Sequence, residues 1–132
     1  MSIKILQDKD GIVYKLQTTG NTIFVYIRTK NDKKFKHIAT IDIKNKIYEK
    51  SMFNTVFFER TKTIGFPYYL LKALYDKGIV KKIKVDITDK TLIIDIEKAF
   101  KVGRFFNYKK KGFELQIHIP INEFEEEKKW NL

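Results

Sequence analysis

Aromatic and cationic residues alternate in step at two places in this chain, the arrangement a protein surface needs to hold unpaired nucleic-acid bases. Phe24, Tyr26 and Arg28 occupy every second position of an extended stretch, so they share one strand face. Arg104, Phe106, Tyr108 and Lys110 repeat the pattern, with Lys109 and Lys111 beside them. A ring exposed on a sheet offers bases a stacking platform, and cations next to it follow the phosphates. The same rings are ordinary core if both faces of the sheet are covered, since strands are rich in aromatics anyway. Exposure of Phe24, Tyr26, Phe106 and Tyr108 decides between the two. The expected contact surface is Phe24, Tyr26, Arg28, Arg104, Tyr108, Lys109, Lys110 and Lys111. In a third stretch Lys82 and Lys84 alternate with Ile83 and Val85 and share their face with Asp86. Such a row can touch phosphates, but it more commonly marks an edge strand guarded by charge, the reading expected here.

The two histidines invite catalytic readings. His37 alternates with Phe35, Ala39 and Ile41, which places it on the apolar side of its strand as a satisfied interior group. His118 shares the polar face with Glu114 and Gln116, and acid, amide and imidazole in a row can bind a divalent metal or relay a proton. A Glu-x-Gln pair resembles a variant of the Glu-x-Lys pair of restriction-type nucleases, in which an upstream aspartate completes a magnesium site. Asp86 or Asp95 would serve that role here. No Pro-Asp precedes the pair, however, and the order of elements differs. A metal-dependent nuclease is thus the nearest enzymatic alternative to a non-catalytic protein, and neither a metal site nor a cofactor is expected.

Other chemistry lacks its residues. There is no P-loop, G-x-G-x-x-G, H-E-x-x-H or nucleophile elbow, and neither an RNA-recognition signature nor a GXXG clamp. The absence of cysteine removes disulfides, thiolate nucleophiles and Cys-ligated zinc, and suits a cytoplasmic setting. Two histidines cannot supply a three-histidine zinc site. No apolar run approaches the ~20 residues needed to cross a bilayer, and Asp8 and Asp10 interrupt the start before a signal-peptide core could develop.

Charge points to a polyanion. Lys and Arg number 27 against 16 Asp and Glu, a net of +11. The end reverses the balance: 121–132 (INEFEEEKKWNL) holds four glutamates against two lysines, with Phe124 and Trp130 in the same segment. A basic body attracts polyanions at long range. Only three of the cations, Arg28, Arg60 and Arg104, are arginine, the residue that grips phosphate and guanine in bidentate fashion. Lysine and isoleucine abound together, so part of the basicity follows composition alone.

The elements that must position these residues follow from periodicity. At 132 residues, 43% of them apolar, the chain is expected to form one domain with a real core. Period-two alternation predicts strands over 12–18, 22–29, 35–43 and 46–50, joined by turns at Thr19, Gly20 and Asn21, at 31–34, and at Lys44 and Asn45. Residues 52–60 form a less regular strand. Pro67, the spacing of Phe66, Leu70, Ala73 and Leu74, and Gly78 predict a helix over 66–77. Strands at 81–87 and 91–96 follow, then a short helix over 96–102 capped by Asp95, and a hairpin of 104–110 with 113–119. Asn122 and Glu125 suggest a short terminal helix in the acidic segment. The fold class is α+β: an antiparallel meander, in one sheet or two small ones, with one main helix packed on it.

The function that fits these readings is a small non-catalytic nucleic-acid-binding protein using a basic, aromatic sheet face, with a single strand among its candidate ligands. The alternative is a protein-interaction module, such as an inhibitor or accessory protein of a phage, archaeal virus or mobile element. A short, cysteine-free, Lys/Ile-rich chain suits that source. An exposed apolar patch without accompanying cations would favour it.

Overall fold

A computed structural model describes residues 2–7, 11–29, 31–50, 55–58, 61–65, 67–87, 90–102, 105–110 and 113–118, with the backbone alone at 55–58, 61–65, 68–69, 86–87, 90, 102, 105–110 and 113–118. Eleven strands and two helices are described. The meander is β1 (Ser2–Gln7), β2 (Val13–Thr19), β3 (Thr22–Arg28), β4 (Lys36–Asp42) and β5 (Ile47–Lys50). There follow β6 (Thr55–Phe58), β7 (Thr61–Gly65) and α1 (Tyr68–Asp76). Then come β8 (Lys82–Ile87), β9 (Lys90–Asp95), α2 (Ile96–Val102), β10 (Phe105–Lys110) and β11 (Phe113–His118).

These strands form two sheets. The larger has seven strands in the order β1-β2-β3-β4-β5-β8-β9; the smaller has four, β10-β11-β7-β6. All neighbours are antiparallel except β5 with β8 and β11 with β7, which run parallel. The chain leaves the large sheet after β5, lays down two strands of the small sheet and α1, and returns beside β5. Two amides at that return, those of Lys81 and Lys82, donate to the Lys46 carbonyl at 2.8 and 3.1 Å. The α+β class holds, mainly as β. Instead of one main helix over 66–77 there are two short ones, of nine and seven residues.

Local chemistry sets the turns. The two-residue loop Gly20 and Asn21 joins β2 to β3, with Thr19 paired to Thr22. Gly20 has φ of 59° and Asn21 is not left-handed, the combination of a type II′ hairpin. At Asp42 the Asn45 side-chain amide donates to Oδ2 at 2.7 Å and the Asn45 backbone N–H donates to Oδ1 at 3.1 Å. These bonds, the side-chain one foremost, favour the charged carboxylate and lower its pKa. α1 ends as the sequence predicts, at Gly78 with φ of 73°. The Ile79 amide donates to the Leu74 carbonyl at 2.9 Å and the Gly78 amide to the Tyr75 carbonyl at 3.0 Å, which is a Schellman closure. Pro67 stands just before the helix as its N-cap, and its carbonyl accepts from Leu71 at 3.0 Å.

The core lies on one face of the large sheet. Tyr14, Leu16, Ile23, Val25, Ala39, Ile41, Tyr48, Ile83, Val85, Leu92 and Ile94 are buried in one cluster with Leu70, Leu71 and Leu74 of α1 and Ile96 and Ala99 of α2. Ala73, expected on that face of α1, is only half-buried, and Leu71 takes its share. Full burial pushes the Tyr48 phenol far above its ordinary pKa, so it stays neutral. The lysine-bearing β8 is an interior strand between β5 and β9, which overturns its reading as a guarded edge. The edges of this sheet are β1 and β9.

Candidate nucleic-acid interface

The opposite face of the large sheet collects what the core excludes. Cross-strand register aligns Ile5, Lys15, Tyr26 and His37 in one row over β1 to β4. A parallel row runs Ile3, Gln17, Phe24, Thr40, Glu49, Lys84 and Ile93 over all seven strands. Phe24, Tyr26 and Arg28 are half-buried, and Ile3, Ile5 and Ile93 are 57%, 55% and 51% exposed at the two ends. This outer face therefore meets solvent from β1 to β9, and Phe24 and Tyr26 are not core.

A β-bulge completes the centre of the patch. Val25 pairs with Ala39 but Tyr26 pairs with His37, so Ile38 is an extra residue in β4. Ile38 and Ala39 are both buried, and the parity of everything before them reverses. His37 thus stands exposed on the outer face rather than inside with Ala39 and Ile41, correcting the interior reading of this histidine. Its ring lies 6.0 Å from Phe24 and 5.5 Å from Tyr26, tilted by 54° and 55°. Its Nε2 and the Thr40 Oγ1 share a hydrogen bond of 3.0 Å.

Cations sit directly on these rings. The Lys15 ammonium is 4.5 Å from the Tyr26 ring centre and 4.7 Å from that of Phe35; the Arg28 guanidinium is 5.0 Å from Phe35. Contacts at this range are worth ~0.5–1 kcal/mol each when exposed. Phe35 reaches them from the loop ahead of β4. That loop is turned by the Thr29 hydroxyl, which donates to the Asp32 carboxylate at 2.6 Å, and by the Asp32 amide, which donates to the Thr29 carbonyl at 3.1 Å. Lys33 and Lys34 are exposed in the same loop. Beyond β4, Lys84 meets Glu49 at 3.7 Å, and Lys98 meets Asp95 at 4.0 Å.

Three members of the patch, Lys15, Phe35 and His37, were not among the expected contacts. Alternation alone places Lys15 opposite Tyr14 and Leu16, so its signal was present. Phe35 and His37 were hidden by the bulge. Of the rest of the expected surface, three residues are on the other sheet and two are not described. Arg104 and Lys111 lie outside the described residues; Tyr108, Lys109 and Lys110 are on β10, an edge strand of the small sheet, where the backbone alone is described. Phe106 is on the same strand. The structure thus divides between two sheets what the sequence offers as one surface. Glu114, Gln116 and His118 lie on β11, paired in register with Lys109, Asn107 and Phe105. Among the described residues no group of three acidic or histidine side chains could hold a metal ion. The segment 121–132 lies outside the described residues.

Comparison with protein-family models, curated proteins and solved structures gives no match. Among the described residues no helix is long and apolar enough to cross a membrane.

Proposed function

We propose that this protein binds nucleic acid without catalysis, through the outer face of the seven-stranded sheet over β2 to β4. The observation that carries the reading is the set of half-exposed rings of Phe24, Tyr26 and Phe35, of which Tyr26 lies under Lys15 and Phe35 under both Lys15 and Arg28. Folding does not call for aromatics and cations to be clustered on the face away from the core. A polyanion with planar bases matches both components: the rings meet the bases and the cations meet the phosphates. Either cation exchanges a weak contact with a ring for a charge-assisted one with phosphate. The net charge of +11 adds long-range attraction.

The test is binding of fluorescently labelled oligonucleotides across a salt series. Each phosphate contact on a single strand contributes about 0.7 to the slope of log K against log[salt]. Replacing Lys15 and Arg28 together by alanine lowers that slope by roughly 1.4 if both make such contacts. The triple change of Lys109, Lys110 and Lys111 to alanine lowers it by roughly two units if all three also contribute. Binding no tighter than that of an unrelated protein of similar charge refutes the reading.

One observation favours a protein partner instead. Ile3 and Ile5 are exposed on an edge strand, and such an edge can accept a further strand. In that case the Lys15 and Arg28 changes leave partner binding intact while Ile3→Lys abolishes it.

A further inference from the structure

The spacing of the rings says which form of nucleic acid the face accepts, an inference that rests on the nucleic-acid reading above. Phe24 and Tyr26 are two residues apart on one strand, so their attachment points are about 6.8 Å apart along it. Successive stacked bases in a duplex strand advance about 3.4 Å. Two neighbouring bases can each cover one of these rings only if they separate from one another to about twice the stacked distance. The imidazole of His37 reinforces this. It is tilted by more than 50° to both rings and lies within 6.0 Å of each, so it does not extend either ring into a flat stacking surface on the β4 side.

The charges give the path and its length. Lys15, on β2, flanks the Tyr26 ring, and Arg28 lies at the far end of β3 over Phe35. The cations in contact with these rings therefore lie on the β2 side and at the Arg28 end, while the His37 ring lies on the β4 side. Across β4 the next acid, Glu49, is paired with Lys84, which offsets part of the attraction that lysine offers a polyanion. From Phe24 to Arg28 is about 13.6 Å, two extended steps at the ring spacing.

We propose that the ligand is an extended single strand of nucleic acid. Two or three consecutive nucleotides lie along β3 with their bases unstacked from one another. Two bases sit against Phe24 and Tyr26, and the phosphates pass Lys15 and Arg28. A duplex, whose bases are paired and stacked, cannot use the rings and retains only the charge contacts.

Competition measures this with the full chain. A labelled oligothymidylate is displaced by three unlabelled competitors with the same number of phosphates: a single strand, a blunt duplex, and a strand of abasic sites. DNA and RNA single strands are both run, and either satisfies the test. The expected result is that the base-bearing single strand competes better than the duplex and the abasic strand, by about 5- to 150-fold per seated base. Tyr26→Leu keeps apolar bulk on the strand and removes the ring; with an unchanged circular dichroism spectrum, it brings the three competitors closer together. Equal competition by all three overturns the single-strand inference and leaves the nucleic-acid reading standing. If no labelled strand binds even at low salt, the nucleic-acid reading fails, and this inference with it.

Discussion

The two faces of the seven-stranded sheet are built from the same strands, residue by residue in alternation, yet they obey different rules. On the inner face Val25, Ala39, Ile41 and Ile83 are fully buried, and each apolar row continues into the helices. On the outer face the same strands carry Lys15, Gln17, Phe24, Tyr26 and Thr40, partly exposed, with isoleucines open at both ends. Removal of apolar surface from water accounts for the inner face in full. It does not account for rings left half in solvent beneath cations. A residue whose placement the core does not demand is where function is to be sought, and on this sheet those residues cluster over β2 to β4.

The contrast can be broken by measurement. Its largest expected effect is on the inner side: Leu74→Ala empties a fully buried site under the sheet and should cost ~2–5 kcal/mol in denaturant unfolding. A loss below about 1 kcal/mol would mean that α1 is not seated on the core.

Next comes Lys50, the last residue of β5, paired in register with the buried Ala39. Burial penalises its charged form and draws its pKa down to about 8 from the usual 10.5. Below about pH 8 the lysine is protonated in both folded and unfolded chains, and the penalty for holding its charge is fully present. Between about 8 and 10.5 the unfolded chain binds the extra proton, so the contribution of Lys50 to stability rises with pH across this window. Lys50→Met should raise the melting temperature at pH 7 and flatten this rise. Equal slopes for the two proteins would place the lysine in water.

The smallest effect is on the outer side. Ile5→Thr changes a residue that is 55% exposed, and its stability should stay within about 0.5 kcal/mol of the parent. A cost approaching that of Leu74→Ala would show that the outer face is covered.

Much of this contrast was legible in the chain. Alternation separated Ile23, Val25 and Ile27 from Phe24, Tyr26 and Arg28, and the structure keeps that division. Gly78 and the spacing of Leu70 and Leu74 marked α1 because a glycine that closes a helix and an apolar stripe are local signals. The extra residue Ile38 was invisible to a strict period of two, and every assignment ahead of it, Phe35 and His37 included, fell on the wrong face. β1 escaped notice, its isoleucines being set among Lys4, Gln7, Asp8 and Asp10. The split of 52–65 into β6 and β7 was missed as well. The parallel pairings of β5 with β8 and β11 with β7 depend on partners more than thirty residues apart, which no local pattern encodes.

The central claim is that the rings of the outer face stack on bases while its cations neutralise phosphate, and one salt series on three proteins separates these roles. Binding of a single-stranded oligonucleotide is followed by fluorescence anisotropy for the parent chain, for Tyr26→Leu, and for the double change of Lys15 and Arg28 to alanine. The account predicts that Tyr26→Leu loses ~1–3 kcal/mol of binding at every salt concentration with the slope unchanged, because stacking releases no counterions. The double change should instead flatten the slope, by roughly 1.4. Wild-type affinity and slope in both variants would contradict the account.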